Sequence, residues 1–111
     1  MKISSAKAKG RRLAQAVRDM LLAYAPDIPP QDIAVTPSGV NGPDVTLSAR
    51  AQETYPYAIE CKNCESLNVW KAFEQAKSHQ KGSEIPLLIF SKNRSDVMIA
   101  LRFDDFLRLT R

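Results

Sequence analysis

"YAIECKNC", Tyr57 to Cys64, opens as a buried β-strand and then sets Glu60 and Lys62 two positions apart, where apolar residues would serve a sheet better. Side chains on a strand alternate between its faces. Tyr57, Ile59 and Cys61 therefore share one face, and Ala58, Glu60 and Lys62 the other. Cys61 is accounted for as a small, apolar-like side chain on the core side. Glu60 and Lys62 have only the small Ala58 beside them, so their face is open at one end. An ion-paired strand edge would carry the same pattern, and the neighbouring strand has to decide between the two readings.

That neighbour is "DVTLS", Asp44 to Ser48, which alternates polar and apolar residues as a half-buried strand does. Asp44 falls on the face of Thr46 and Ser48, just after a glycine-containing turn. If the two strands pair antiparallel, Asp44 lies beside Glu60. Two carboxylates held together repel unless a cation sits between them. Oxygen donors at this density suit a hard divalent ion such as Mg2+, with Mn2+ expected to substitute, and the backbone carbonyl of Cys61 adds a further oxygen. A lysine beside such an ion, here Lys62, can orient a water or stabilise charge that builds on a phosphate.

Outward from these strands the pattern predicts α-β-β-β-α-β-β-α. Leu13, Val17, Met20, Leu21 and Tyr24 recur at helical spacing from about Ser5 to Tyr24. "APDIPPQ" ends that helix, because Pro26, Pro29 and Pro30 cannot continue it. "DIAVT" is a short strand, "PSGVNGP" a loop, and "ARAQETYP" a hairpin-length connection into "YAIECK". A helix follows from Val69 to Gln80, stopped by Gly82. "IPLLIFSK" and "DVMIALR" read as neighbouring strands, and "FDDFLRL" as a closing helical turn. Gly10 interrupts the first helix at a cost of about 1 kcal/mol against Ala, which points to a close backbone approach or a later helix start.

The chain has 111 residues, enough for one domain spanning 1–111. With 44% hydrophobic and 25% charged residues it is neither a disordered tail nor a membrane protein, since no apolar run approaches the roughly 20 residues of a bilayer span. No apolar signal region follows the basic start, so a cytoplasmic location is expected. The net charge of +4 is concentrated at that start, in Lys2, Lys7, Lys9, Arg11, Arg12 and Arg18, and favours polyanionic partners. Lys7, Arg11 and Arg18 fall within about 40° of one another on the helix, as either a phosphate-contacting stripe or a solvated face. Cys61 and Cys64 form a lone CxxC. Zinc needs about four ligands and a redox motif opens a helix, so ordinary reduced thiols and no zinc are expected.

Pro43-Asp44, fifteen residues, then Glu60-Cys61-Lys62 resembles the PD-(D/E)XK nuclease motif. "GPDVTLS", "IECKN" and "WKAFEQAKSH" are similar to small phage-type endonucleases described as Holliday junction resolvases. The resemblance implies an α/β restriction-endonuclease-like core, a mixed sheet of about five strands flanked by helices. It implies a Mg2+-dependent DNA endonuclease acting in the host cytoplasm, with branched DNA as substrate and a homodimer to supply two symmetric cuts. Nicking or restriction-type cutting of duplex, or a non-catalytic nucleic-acid-binding module, are the alternatives.

Carried over, it makes Asp44 and Glu60 metal ligands and Lys62 the catalytic lysine. Gln75 matches a glutamine on the helix after the motif, and is either a site residue or a solvated one. Relatives often carry a glutamate in the first helix; here Gln15 is the nearest candidate, and a neutral amide is the poorer ligand, which favours one ion. Asn63 and Lys71 extend the expected DNA-contacting set of Lys7, Arg11 and Arg18. Trp70 is expected to pack on the core, and His79 to be solvated, with a general-base role as the alternative.

Overall fold

The computed structural model describes residues 3–111, with side chains from Lys7 onward; Lys2, in the basic cluster, lies outside them. Helix α1 spans Ile3–Tyr24 without a break at Gly10. It buries Leu13, Ala14 and Val17 against the sheet. Met20 and Tyr24, assigned to that face by periodicity, are exposed. At 1.5 Å per residue the 22-residue helix is about 33 Å long, and in its last turn the Leu21 carbonyl accepts from the Tyr55 hydroxyl at 2.7 Å.

Pro29 introduces a 3₁₀ turn at Pro30–Asp32, and strand β1 follows at Ile33–Val35. A loop returns the chain to β2, Val45–Leu47. The expected hairpin-length connection is instead a helix, α2, Ala49–Thr54. The signal was present: the Ser48 hydroxyl caps the helix by accepting from Ala51 N–H at 3.1 Å, and "ARAQE" is rich in helix formers. Fully buried Ala51 anchors it. Strand β3 covers Tyr57–Asn63, α3 Val69–Ser78, β4 Ile85–Ser91, β5 Met98–Ala100 and α4 Phe103–Leu109.

The sheet is mixed and five-stranded in the order β1-β2-β3-β4-β5. Only β3 and β4 run parallel, which requires a crossover, and α3 supplies it. The fold is therefore α/β, with helices flanking a five-stranded mixed sheet. Ile59 and Cys61 face α1 within one apolar cluster that includes Ile33, Val45, Leu87 and Ile89. The opposite face of β3 and β4 is covered by α3, which buries Ala72 and Ala76. Small residues there let the helix approach closely, and this sets the depth of Glu60 between sheet and helix. No helix among the described residues is long and apolar enough to cross a membrane.

Candidate active site

The site forms where β2 runs out beside the second half of β3. Val45 pairs with Ile59 in the antiparallel register, so the preceding residue, Asp44, stands across from Glu60. Pro43 leads into Asp44, whose N–H donates to the Ile59 carbonyl at 2.8 Å. One step further, ladder pairing gives way to a side chain: Asp44 Oδ2 accepts from Cys61 N–H at 2.7 Å. In an extended strand a residue's carbonyl leaves on the same side as its N–H. The Cys61 carbonyl therefore opens toward the space in front of Asp44. The loop before Asp44 folds back with Gly39 and Gly42 at φ of 83° and 146°, values that a side chain would strain. Thr36 closes its base, N–H to the Asp44 carbonyl at 2.9 Å and hydroxyl to the Pro43 carbonyl at 2.5 Å.

Glu60 is 6% exposed. Lys62 Nζ lies 3.7 Å from its Oε2, and His79 Nδ1 lies 3.4 Å from its Oε1. The histidine contact has ion-pair length but not hydrogen-bond alignment, and both atoms are buried without a hydrogen-bond partner. Burial first, and the Asp44 charge second, push the Glu60 carboxyl above its ordinary value, with Lys62 and His79 opposing. A buried carboxylate beside a second carboxylate fits a cation with oxygen preference. Among the described residues no three His, Cys, Asp or Glu side chains gather into a metal cluster. Two carboxylates and one backbone carbonyl are the oxygen groups here that could hold a cation. The Cys61 thiol points into the core, where burial, then Asp44 and Glu60, push it toward the protonated form, a poor metal ligand. Cys64 is also a free thiol, partly exposed.

In front of these groups lies a cavity of about 500 Å³. Asp44, Glu60, Lys62 and Asn63 line one wall and Lys7, Gly10 and Arg11 of α1 the other. Gly10 has no protein atom within 4 Å of where a Cβ would stand. The close approach expected there does not occur, and the missing side chain widens the cavity. Arg11 donates to Ser38 Oγ, tying α1 to the β1–β2 loop. Asn63 presents a buried, unpartnered Oδ1.

Other expected residues stand elsewhere. Arg18 leaves the basic stripe: its Nε donates to the Ile33 carbonyl at 2.6 Å and its Nη2 to the Pro30 carbonyl at 3.0 Å. Its guanidinium pins α1 to β1. Gln15 is exposed and bonded to Asp19 at 3.0 Å, and the α1 residue one position before it, Ala14, lines the cavity. Gln75 and Lys71 are exposed on α3 and do not line the cavity.

The residue α3 brings to Glu60 is its C-cap, His79, four positions past Gln75 and thus about one helical turn further. Its other ring nitrogen meets Asn41 of the β1–β2 loop at 3.3 Å. Being the sole histidine was the available signal. Trp70 does not pack on the core; it is 86% exposed at the start of α3. Comparison with protein-family models, with curated proteins and with solved structures finds no match to this chain.

Proposed function

We propose that this chain is a metal-dependent DNA endonuclease on a restriction-endonuclease-like core, selective for branched DNA such as a four-way junction and acting in the cytoplasm. One observation carries the reading: the Glu60 carboxyl is buried, and the Asp44 carboxylate stands across from it on the paired strand and pushes its proton affinity up. Two acids held together at this depth repel unless a cation lies between them. Asp44, Glu60 and the Cys61 carbonyl would hold Mg2+ or Mn2+. Such an ion, when bound, supplies a water of lowered pKa and polarises a phosphate oxygen.

The chain's own groups do the rest. Lys62, one third exposed at the cavity wall, places its ammonium where charge builds on a scissile phosphate. Lys7 and Arg11 on the opposite wall are set to meet flanking phosphates. Exposed Trp70 and Lys71, on the helix after the motif, offer a stacking surface and a cation to an unpaired base and its backbone. The proposed contacts go to phosphates and to a stacked base face rather than to base edges, so the shape of the DNA is the determinant. Two copies related by a two-fold would supply two symmetric cuts.

Incubation with a four-way junction, a flap, a nicked duplex and plain duplex, in Mg2+ and in EDTA, tests this. Paired symmetric cuts in the junction, absent in EDTA and in Asp44→Ala, are expected. Cutting of duplex as fast as of junction would make this a general nicking or duplex enzyme. Metal-independent binding without any cutting would leave a binding module.

A further inference from the structure

Glu60 has two oxygens, and the proposed metal accounts for one. The other, Oε1, faces His79 Nδ1 at 3.4 Å, and these two atoms are both buried and unpartnered. The pair lies beneath the end of α3, with the His79 side chain 22% exposed. His79 is fixed from three directions. Its N–H caps α3 through the carbonyls of Ala76 and Lys77, its Nε2 meets Asn41 at 3.3 Å, and its Nδ1 faces Glu60. Asn41 belongs to the same loop that delivers Asp44.

We infer that His79 is a positioning residue for the divalent-cation site. Its Nδ1–H donates to Glu60 Oε1 and turns Oε2 toward the cation, while Asn41 holds the ring to the loop that carries Asp44. The inference rests on the metal-site reading of Asp44 and Glu60. A carboxylate that ligates a metal needs its second oxygen restrained, and an outer hydrogen bond of this kind typically changes metal affinity by about 10–100-fold. A neutral ring satisfies both contacts when the Asn41 amide turns so that Nδ2 donates to Nε2; amide orientation follows the hydrogen-bond network. A rotation that brings Nδ1–H into line with Oε1 satisfies both orphaned atoms at once.

The test uses metal binding without DNA. Mn2+ titrations at one neutral pH would compare the wild type with His79→Ala, His79→Asn and Asp44→Asn, each checked for a native circular-dichroism spectrum. His79→Ala is expected to bind Mn2+ about 10-fold or more weakly, and His79→Asn, whose Nδ2 stands as far from Cβ as the imidazole Nδ1 does, to recover part of that loss. A second reading needs no variant. As the sole histidine, His79 gives one unambiguous set of ring signals by NMR, which should shift with Mg2+ along the same binding curve. Wild-type affinity in His79→Ala, with Asp44→Asn impaired, would overturn the role of His79 alone. Ring signals that ignore Mg2+ while the protein binds it would do the same. A wild type that binds neither ion removes the metal site and this inference with it.

Discussion

Among the described residues two acids are buried, and they are treated in opposite ways. Asp105 in α4 is 1% exposed. It accepts from Arg102 Nε at 2.9 Å and from Arg108 on the next turn, so each of its oxygens is satisfied. Glu60 in β3 is nearly as deep, at 6%, yet keeps one oxygen without a hydrogen bond and faces a second carboxylate. Depth is the same; satisfaction differs. An ion pair completed within the protein is a structural device, whereas a buried acid held against another acid asks for a cation from outside. The difference separates the carboxylate that fastens a helix from the carboxylate that serves a site.

The largest expected effect is on cleavage. Glu60→Gln, like Asp44→Ala or Lys62→Ala, should lower the cutting rate of a folded protein by at least about 100-fold, the scale for losing a charge-stabilising group. Asp105→Ala should leave the cutting rate of the folded fraction unchanged. It should cost about 2 kcal/mol of stability from lost charged hydrogen bonds; the full penalty of a broken buried pair does not apply, because Arg102 and Arg108 are 45% and 67% exposed and turn to water. Single-turnover rates and urea melts measure the two quantities separately. Wild-type cleavage by Glu60→Gln would erase the contrast between the acids.

The same contrast predicts a pH dependence. The Glu60 carboxyl is held above its ordinary value, so the folded state binds its proton more tightly than the unfolded chain does. Stability then falls as pH rises from the ordinary carboxylate range through the folded-state value, and stays lower above it. In EDTA, Glu60→Gln should flatten that decline and melt at a higher temperature than the wild type near neutrality. Added Mg2+ should narrow the gap by stabilising only the wild type. Parallel melting curves across that pH range would show that the strand bears no strain from this group.

The sheet and the pairing of Asp44 with Glu60 were legible because both depend on short-range pattern. Alternation in "DVTLS" and "YAIECK" sets faces, and a turn before Asp44 sets where the strand begins. What stayed hidden depends on reach across the fold. Nothing local says that Arg18 meets the carbonyls of Pro30 and Ile33, 12 and 15 residues away, since a basic helix stripe looks alike whether it faces phosphate or backbone. Gln75 and His79 sit one turn apart on α3, and periodicity alone does not say which turn ends over Glu60. Trp70 misled because aromatic rings at helix starts usually cover a core; here Ala72 and Ala76 make the contact instead. Helix α2 was readable from the Ser48 cap, although its six residues are short enough to pass for a turn between strands.

The basic residues of α1 give a smaller and separable effect. Lys7→Gln with Arg11→Gln should reduce the slope of log K against log salt for every DNA substrate by about 2, since each lost phosphate contact removes about 0.9. Arg18→Gln should leave the slope alone and lower the melting temperature, because it unpins α1 from β1. Equal loss of slope in both variants would return Arg18 to the DNA-contacting stripe.

The smallest effect is at Gly10, and its sign is informative. A glycine inside a 22-residue helix costs about 1 kcal/mol relative to alanine, and here no protein atom stands in the way of a methyl group. Gly10→Ala should therefore stabilise the protein by about that amount, raising the melting temperature by roughly 4–8 °C for a domain near this size. The reason to keep glycine then lies in the cavity it lines. Gly10→Leu fills the same wall with a good helix former, so it should also melt above the wild type while weakening DNA binding in EDTA, where no cutting confuses the reading. Stabilisation by both substitutions with DNA affinity unchanged would mean that nucleic acid does not enter between α1 and β3.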